Sequence, residues 1–328
     1  MRIAIVRLSA MGDIIQSMLV VQIIKSKINN VIIDWIVDDS FCELVSLNEE
    51  IDNVISVNLK EIKLCNDKIS NLKLLYKKLI NLKKYDLIID LQGLIKSAII
   101  ARIIKSDKTI GFDWKSTREP LASTLYSEKY FFSYFDNVFD RYLGLISKTL
   151  SISIEEKEIS NKKPIFGRNT NQFKTKRVLI ALVVGASFKS KIYSVDGYKK
   201  IISALDADFI CLWGSYEELI TARELKKNNS RVKVPDKTSF KDLVKIVNSC
   251  SLVIGGDTGP THLAWAQNIP SITLFGPTPS YRNMMETDIN KKLESEENIN
   301  LKKISKTSKS IYKIKSNEII NLAKKLIK

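Results

Sequence analysis

The stretch SLVIGGDTGPTHLAWA, residues 251–266, carries polar and small residues where an apolar run ends: Asp257, Thr258, Gly259 and His262. His262 is the only histidine of the chain. The apolar run predicts a strand, and the residues after it predict a turn into a helix. Backbone N–H groups at a helix N-terminus bind phosphate, so the stretch indicates an anion site. A helix cap beside a packed histidine explains the same residues about equally well.

Glu217 and Lys191 follow two other apolar runs of the second half. Ser215 and Glu218 have the spacing of a capping box, which leaves Glu217 to accept hydrogen bonds from ribose hydroxyls. A solvated glutamate at a helix start is the alternative. Lys191, in GASFKSK (185–191), could neutralise a diphosphate, although the spacing is not that of a P-loop. Together the three strand ends predict a nucleotide site.

Asp13 ends the short segment SAMGD that follows the first apolar run of the chain. Asp13 and Gln16 have a spacing that resembles a capping box, which favours Asp13 as the cap of the next helix. A carboxylate at a strand end could instead act as a general base toward a hydroxyl group. An ordinary carboxylate pKa suffices for that role where the proton leaves late in the transition state.

Composition narrows the class of protein. A chain of 328 residues and 37.3 kDa is long for one core and favours two domains. The four cysteines lack C-x-x-C spacing, so they predict neither a disulfide framework nor a zinc site and favour a reducing cytoplasm. No stretch reaches the roughly 18 uncharged apolar residues of a membrane helix, so we expect a soluble protein.

The net charge of +16 is compatible with nucleic acid, a membrane surface or a phosphorylated substrate. The lysines are diluted by acidic residues and lack the interleaved aromatic residues of a stacking platform for nucleic acid. A general drift of the composition toward Lys, Ile and Asn explains most of the charge. We therefore expect no nucleic-acid partner.

Short apolar runs alternate with helical patterns in both halves of the chain, which predicts βαβ units and two parallel sheets. The polar stretch 151–176 separates the halves, and a cleft between two such domains is the default site. The predicted strands are 2–8, 32–38, 54–59, 86–92, 178–184, 208–213, 232–234, 251–255 and 271–275. The predicted helices are 13–27, 68–82, 94–104, 195–204, 216–227, 239–249, 260–268 and an amphipathic one from about 316.

Five segments resemble the lipopolysaccharide heptosyltransferases, which are glycosyltransferases of family 9 and of GT-B type: RLSAMGDIIQS, WIVDDSF, DLQGLIKSA, STREPLASTLY and GGDTGPTHLAWA. The resemblance covers nearly the whole chain. S-x-M-G-D and T-R-E-P-L-A-S are its most specific pieces and favour type I over types II and III. It implies two Rossmann-like domains with parallel sheets that face a central cleft. The implied parts are an acceptor-binding domain (1–160), a linker (161–176), a donor-nucleotide-binding domain (177–312) and a C-terminal helix (313–328) packed back on the first domain.

The activity implied by the resemblance is an inverting transfer of L-glycero-D-manno-heptose from ADP-heptose to the Kdo sugar of Kdo2-lipid A. The reaction would need no metal and no other cofactor. The enzyme would be cytoplasmic and peripherally associated with the cytoplasmic face of the inner membrane.

The resemblance also implies roles for individual residues. Asp13 matches the catalytic base, and Lys60, Lys63 and Arg118 fall where relatives contact the acceptor. We expect the donor to be bound by Ser187, Lys191, Glu217, Thr238, Asp257, Thr258, Gly259 and His262.

Two other functions remain open at this point. The first is another sugar-nucleotide transferase on the same scaffold, for example one of type II, and the second is a basic nucleic-acid-binding protein. Asp206 and Asp208 resemble the D-x-D metal motif of sugar-nucleotide enzymes, but they precede their predicted strand and so lie at the wrong end of the sheet. We therefore expect no catalytic metal.

Overall fold

A computed structural model of the chain describes residues 1–59, 67–167, 177–295 and 305–327. They form two compact units, Met1–Ile165 and Phe166–Lys328. Each unit has a six-stranded parallel sheet flanked by helices. The predicted pair of α/β domains is confirmed.

The strands of the first unit are β1 (Arg2–Val6), β2 (Ile32–Asp38), β3 (Asn53–Val57), β4 (Tyr85–Asp90), β5 (Ser106–Phe112) and β6 (Glu128–Tyr130). They pair in the order β3-β2-β1-β4-β5-β6, and every pairing is parallel. This is the Rossmann order, in which the connection changes direction between the first and fourth strands. Ligands of such sheets bind at that switch point, outside the carboxyl ends of the strands.

Helices cover this sheet and set its core. They are α1 (Met11–Ser17), α2 (Leu19–Lys27), α3 (Cys42–Ser46), α4 (Lys68–Ile80), α5 (Ile95–Ile103), α6 (Val138–Leu150) and α7 (Glu156–Ser160). The helix predicted over 13–27 is divided at Met18 and begins two residues earlier. The buried side chains of β1 and β4 pack against Leu79 of α4 and Ile100 of α5, because parallel strands covered on both faces are apolar throughout.

The second unit repeats the topology of the first. Its strands are β7 (Leu179–Val183), β8 (Asp208–Leu212), β9 (Val232–Lys233), β10 (Leu252–Gly256), β11 (Ser271–Phe275) and β12 (Asn290–Glu294). They pair in the order β12-β11-β10-β7-β8-β9, again all parallel. The switch point of this sheet therefore lies between β7 and β10.

Apart from α12, which was not predicted, the helices of the second unit follow the predicted ones closely. They are α8 (Val195–Ala204), α9 (Tyr216–Lys226), α10 (Phe240–Ser249), α11 (Gly259–Ala266), α12 (Ser280–Asn283) and α13 (Ser316–Leu326), with a 3₁₀ turn over Lys189–Lys191. Ser215 and Ser239 cap α9 and α10 through hydrogen bonds from N–H groups of the first turn, which explains why these helices begin where they do.

The C-terminal helix α13 belongs to the second unit. Ile319, Ile320 and Ala323 are buried in the core of that unit, and α13 contacts α8. The predicted packing of this helix on the first domain stays a prediction. An amphipathic pattern shows that one face of a helix is buried but not which element buries it.

The first part of the predicted linker over 161–176 packs against the units that it joins. Ile165 and Phe166 are buried, and the main chain of Phe166 exchanges two hydrogen bonds with the side-chain amide of Gln267, of 2.8 and 2.9 Å. The division between the units falls between Ile165 and Phe166. Residues 168–176 lie outside the described part of the chain.

Candidate functional site

Asp257 lies at the centre of a polar cluster at the switch point of the second sheet. It follows β10, is 5 % exposed and binds three side chains. Lys191 Nζ donates to Oδ2 at 2.7 Å and to the main-chain carbonyl of Asp257 at 3.1 Å. His262 Nε2 lies 2.9 Å from Oδ1, and Asn283 Nδ2 donates to Oδ2 at 3.2 Å. The strand ends of β7 and β10 are thus joined through Lys191 and Asp257.

The Asp257 carboxylate is stabilised in its charged form. Burial by itself would raise the pKa of Asp257. The charge of Lys191 and the hydrogen bond from His262 outweigh that effect and hold this pKa well below the usual carboxylate range. Asp257 therefore remains an acceptor, and Lys191 and His262 are held as its donors.

The imidazole of His262 is bound to Asp257. Since an ionised carboxylate can only accept hydrogen bonds, Nε2 of the imidazole is the donor in the contact with Asp257. Direct donation from Nε2 to a diphosphate would require this bond to break. The bond makes His262 a support for Asp257, which in turn holds Lys191.

Thr258 and Gly259 form the start of α11. Thr258 is the N-cap and Gly259 the first helical residue, which both the anion-site and the helix-cap interpretations predict. The N–H of Thr258 donates to Thr261 Oγ1 at 3.3 Å, so the side chain of Thr261 performs the local capping. The hydroxyl oxygen of Thr258 is buried and has no hydrogen-bond partner in the described part of the chain. A buried hydroxyl without a partner is a position that a ligand oxygen can satisfy.

Gly256 explains how Lys191 comes so close to β10. A Cβ atom on Gly256 would lie 2.0 Å from the carbonyl oxygen of Lys191, which is far inside any real contact distance. Only a glycine lets the 3₁₀ turn that carries Lys191 lie against this strand. The sequence shows the two glycines after the apolar run, but it does not show that the turn carrying Lys191 packs against them.

Glu217 lies at the start of α9 with an exposed side chain. Its neighbour Glu218 forms the predicted capping box: Oε2 accepts from the N–H groups of Gly214 and Ser215 at 2.6 and 3.2 Å, and the N–H of Glu218 donates to Ser215 Oγ. The predicted capping role of Glu218 is therefore confirmed, and the ribose-binding role of Glu217, which faces solvent beside the carboxyl end of β8, stays a prediction.

Ser187 and Thr238 lie in loops at the same edge of the sheet. Ser187 is exposed between β7 and the 3₁₀ turn, and Thr238 is half-buried between β9 and the N-cap of α10. The indole N–H of Trp213 donates to the carbonyl of Pro235 at 2.8 Å and ties the loop of Thr238 to the end of β8. All eight predicted donor residues thus follow the carboxyl ends of β7, β8, β9 and β10.

Asp13 lies in the first turn of α1 in the first unit, at the β1 side of its switch point. The predicted cap is wrong: Ala10 is the N-cap, and Asp13 Oδ2 accepts weakly from the N–H of Ala10 at 3.3 Å. The same oxygen accepts from Arg7 Nη2 at 2.9 Å, and the Asp13 side chain remains 44 % exposed. Asp13 is therefore both anchored and accessible, which a general base needs.

Arg7 was not among the predicted site residues. Its guanidinium is buried, donates from Nη1 to the carbonyl of Leu91 at 2.9 Å and lies over the ring of Tyr142. Burial alone would lower the pKa of Arg7, but Tyr142 and Asp13 raise it above its ordinary value. An arginine inside an otherwise apolar strand end is the sequence signal that could have identified it, because such a charge needs a buried partner.

Arg118 is exposed in the loop after β5, 3.7 Å from Glu119 Oε1. A Cβ atom on Gly93 would lie 3.0 Å from Thr117 Cγ2, so this loop lies against the turn after β4. Arg118 is thus at the carboxyl edge of the first sheet, as is Asp13. The other two predicted acceptor residues, Lys60 and Lys63, lie outside the described residues.

The D-x-D segment lies apart from both the predicted donor residues and the predicted acceptor residues. Asp206 and Asp208 precede or begin β8, and Asp206 forms an ion pair with Arg177 at 3.2 Å. The prediction that they lie at the wrong end of the sheet is confirmed. Within the described ranges, no group of three or more His, Cys, Asp or Glu side chains is arranged to hold a metal ion. The same ranges contain no helix with the length and apolar character needed to cross a membrane.

Two doubly wound units, each with a six-stranded parallel sheet, have the architecture of the GT-B fold. A model of glycosyltransferase family 9 (heptosyltransferase) matches residues 74–311. The chain belongs to this family and is a glycosyltransferase.

Individual relatives resemble the chain over most of its length. It is 36 % identical over 345 residues to a lipopolysaccharide heptosyltransferase 1 of Campylobacter coli, with 99 % of both chains covered. A lipopolysaccharide heptosyltransferase 1 of Escherichia coli O18:K1:H7 is 26 % identical over 284 residues, covering 85 % of this chain and 86 % of that one. The structure of the E. coli heptosyltransferase WaaC with ADP has a TM-score of 0.82 at 22 % identity and covers 99 % of this chain and 100 % of that chain. That likeness shows the shared fold.

Proposed function

We propose that this glycosyltransferase moves L-glycero-D-manno-heptose from ADP-heptose to the Kdo sugar of Kdo2-lipid A. The observation that carries the proposal is the cluster around Asp257, where Lys191 stands beside a helix N-terminus and a buried, unpartnered Thr258 hydroxyl. The names of the relatives, lipopolysaccharide heptosyltransferase 1, support the heptose and the lipopolysaccharide acceptor.

On the donor side, negative charge builds on the diphosphate as its bond to the anomeric carbon breaks. Lys191 supplies a positive charge whose position Asp257 fixes from two oxygen atoms. The N-terminus of α11 adds the positive end of the helix dipole, and the Thr258 hydroxyl offers a hydrogen bond. Such preorganised groups stabilise a leaving group without having to rearrange during the reaction. Glu217, Ser187 and Thr238 would hold the nucleoside part.

On the acceptor side, Asp13 takes the proton of the Kdo hydroxyl. The hydroxyl oxygen then forms the new bond to the anomeric carbon, and ADP leaves with the electron pair of the old one. One displacement inverts the anomeric configuration. Arg7 holds one carboxylate oxygen of Asp13 and leaves the side chain partly exposed for the hydroxyl.

Arg118, Lys60 and Lys63 would meet the acidic groups of the acceptor. We propose that the enzyme is cytoplasmic. Because Kdo2-lipid A is a membrane lipid, the enzyme would be peripherally associated with the cytoplasmic face of the inner membrane. We propose no nucleic-acid partner for the enzyme.

Transfer can be tested with purified enzyme, ADP-heptose and Kdo2-lipid A, with the product identified by mass spectrometry. We expect a mass increase of one heptose and release of ADP. Transfer to a core that already carries the first heptose, but not to Kdo2-lipid A, would instead assign a type II activity. Transfer only from another sugar nucleotide would contradict the proposed donor.

Metal dependence gives a separate prediction. Because Lys191 and the α11 N-terminus supply the positive charge, we expect activity to persist in EDTA. A reproducible loss of transfer in EDTA that Mg²⁺ restores would contradict this account.

A further inference from the structure

Helix α4 (Lys68–Ile80) of the first unit carries large apolar side chains that are exposed to solvent. Ile69, Leu72 and Tyr76 are 68 %, 52 % and 49 % exposed. Their spacing of three and four residues places them on one face of the helix, which we call the apolar stripe.

The C-terminal half of α4 fixes the helix to the unit. Leu79 is fully buried, and Leu75 packs beside it on the core formed with β1 and β4. Leu75 and Leu79 lie about 60° and 20° around the helix axis from Leu72, so the apolar stripe continues the buried side of α4 toward its N-terminus, where it becomes exposed. Single exposed apolar residues are ordinary, but three on one helix face form a contiguous patch.

Positive charge accompanies the stripe. Residues 68–84 contain six lysines and no acidic residue. Lys73 and Lys77 are exposed and follow the stripe around the helix, because each residue turns the helix by about 100°. A helix with an apolar face beside lysines is the pattern of segments that lie in the interface of an anionic bilayer.

We propose that α4 is a membrane-docking helix whose apolar stripe enters the headgroup region of an anionic phospholipid bilayer, with Lys73 and Lys77 at the lipid phosphates. Charge complementarity favours lipid over a second copy of the chain, since dimerisation through this face would bring two sets of lysines together. The inference rests on the proposed function in that a lipid acceptor requires contact with a membrane. Vesicle binding needs neither donor nor acceptor, so the two proposals fail separately.

The contribution of the apolar stripe can be tested by co-sedimentation of the full chain with phosphatidylcholine vesicles, with and without phosphatidylglycerol. We expect binding only to the anionic vesicles. Leu72→Asp should lower the partition coefficient by on the order of tenfold. Leu74→Asp is the matched control, because Leu74 is 62 % exposed on the same helix but lies about 200° around it from Leu72. Equal binding by both variants would overturn the proposal.

The contribution of the lysines can be tested against a control variant with the same change in net charge. Lys73→Glu combined with Lys77→Glu should weaken binding to anionic vesicles at least tenfold, by roughly the contribution of a few lysines at such a surface. Lys324→Glu combined with Lys325→Glu reverses two exposed lysines of α13 and should have much less effect. Equal losses would indicate attraction by net charge alone and overturn the role of α4. The remaining alternative is that the apolar stripe binds a second copy of the chain, which sedimentation velocity without lipid can test. A dimer that the substitution Leu72→Asp dissociates would support that alternative and overturn the proposal.

Discussion

At the scale of the residue, the most informative feature is a carboxylate in a site for an anion. Asp257 would repel a diphosphate if it faced one directly. Its oxygens are instead occupied by Lys191, His262 and Asn283, and its low pKa keeps it charged for them. Asp257 is therefore a positioning residue for Lys191.

The substitution Asp257→Asn tests whether the carboxylate mainly positions Lys191 or mainly repels the diphosphate. The variant keeps the shape but loses the ion pair with Lys191, so we expect ADP affinity to fall by on the order of tenfold, or about 1.4 kcal/mol. Isothermal titration calorimetry measures this change. Tighter ADP binding by the variant would mean that the carboxylate opposes the ligand.

The same pair predicts a pH dependence of stability. Because the folded pKa of Asp257 lies below its unfolded value, the stabilisation is fully present above the unfolded pKa of about 4 and is lost as the pH falls through the folded pKa. The difference in unfolding free energy between wild type and Asp257→Asn should narrow as the pH falls below about pH 4. A difference that narrows between pH 8 and pH 5 would point to another titrating group.

Asp13→Asn tests the proposed base. The amide keeps the size of the side chain but cannot accept the hydroxyl proton, so turnover should fall by about 10²–10⁴-fold. ADP affinity should stay near that of wild type, because the predicted donor residues all lie in the second unit. Turnover near wild type would leave Asp13 only its structural contacts with Arg7 and Ala10.

At the scale of the element, apolar runs predicted the strands that are buried on both faces. β2 and β11 were predicted to the residue, as was helix α8. The sequence did not reveal β5, β6 or β12, because β5 begins with exposed polar residues and the other two are edge strands whose pattern is mixed.

The loops show the same limit. Asp257, Lys191 and Glu217 were predicted from their places after strands, since parallel strands bring their carboxyl ends to one edge. The contact between Lys191 and Gly256 joins residues 65 positions apart, and no local pattern encodes it. Arg7 was missed for a similar reason, because its partners come from three separate elements.

Gly256→Ala tests this contact between elements. The added methyl group would collide with the Lys191 carbonyl, so the turn carrying Lys191 must move. We expect a loss of stability of about 1–3 kcal/mol and weaker ADP binding. Gly214→Ala is the control at the end of β8, where the new Cβ would be 3.6 Å from Glu218 Oε2, an ordinary contact. Similar ADP affinities for the two variants, both near that of wild type, would contradict the proposed role of the glycine.

At the scale of the whole molecule, one topology occurs twice with different chemistry. Both units have the Rossmann strand order, but the switch point of the first carries the Arg7–Asp13 pair and that of the second carries the Asp257 cluster. The restart of the strand–helix pattern predicted the two domains. It did not assign α13, because the pattern of Ile319, Ile320 and Ala323 fits any apolar partner.

This division predicts that the second unit binds nucleotide by itself. Residues 166–328 contain their own core, including α13, and every predicted donor residue. Expressed alone, they should unfold cooperatively and bind ADP within about tenfold of the affinity of the full chain, a difference of about 1.4 kcal/mol. Lys191→Ala in the same fragment should weaken binding, and residues 1–165 alone should not bind ADP. A folded fragment that fails to bind ADP would mean that the first unit supplies a necessary part of the donor site, because the loss could not then be attributed to unfolding.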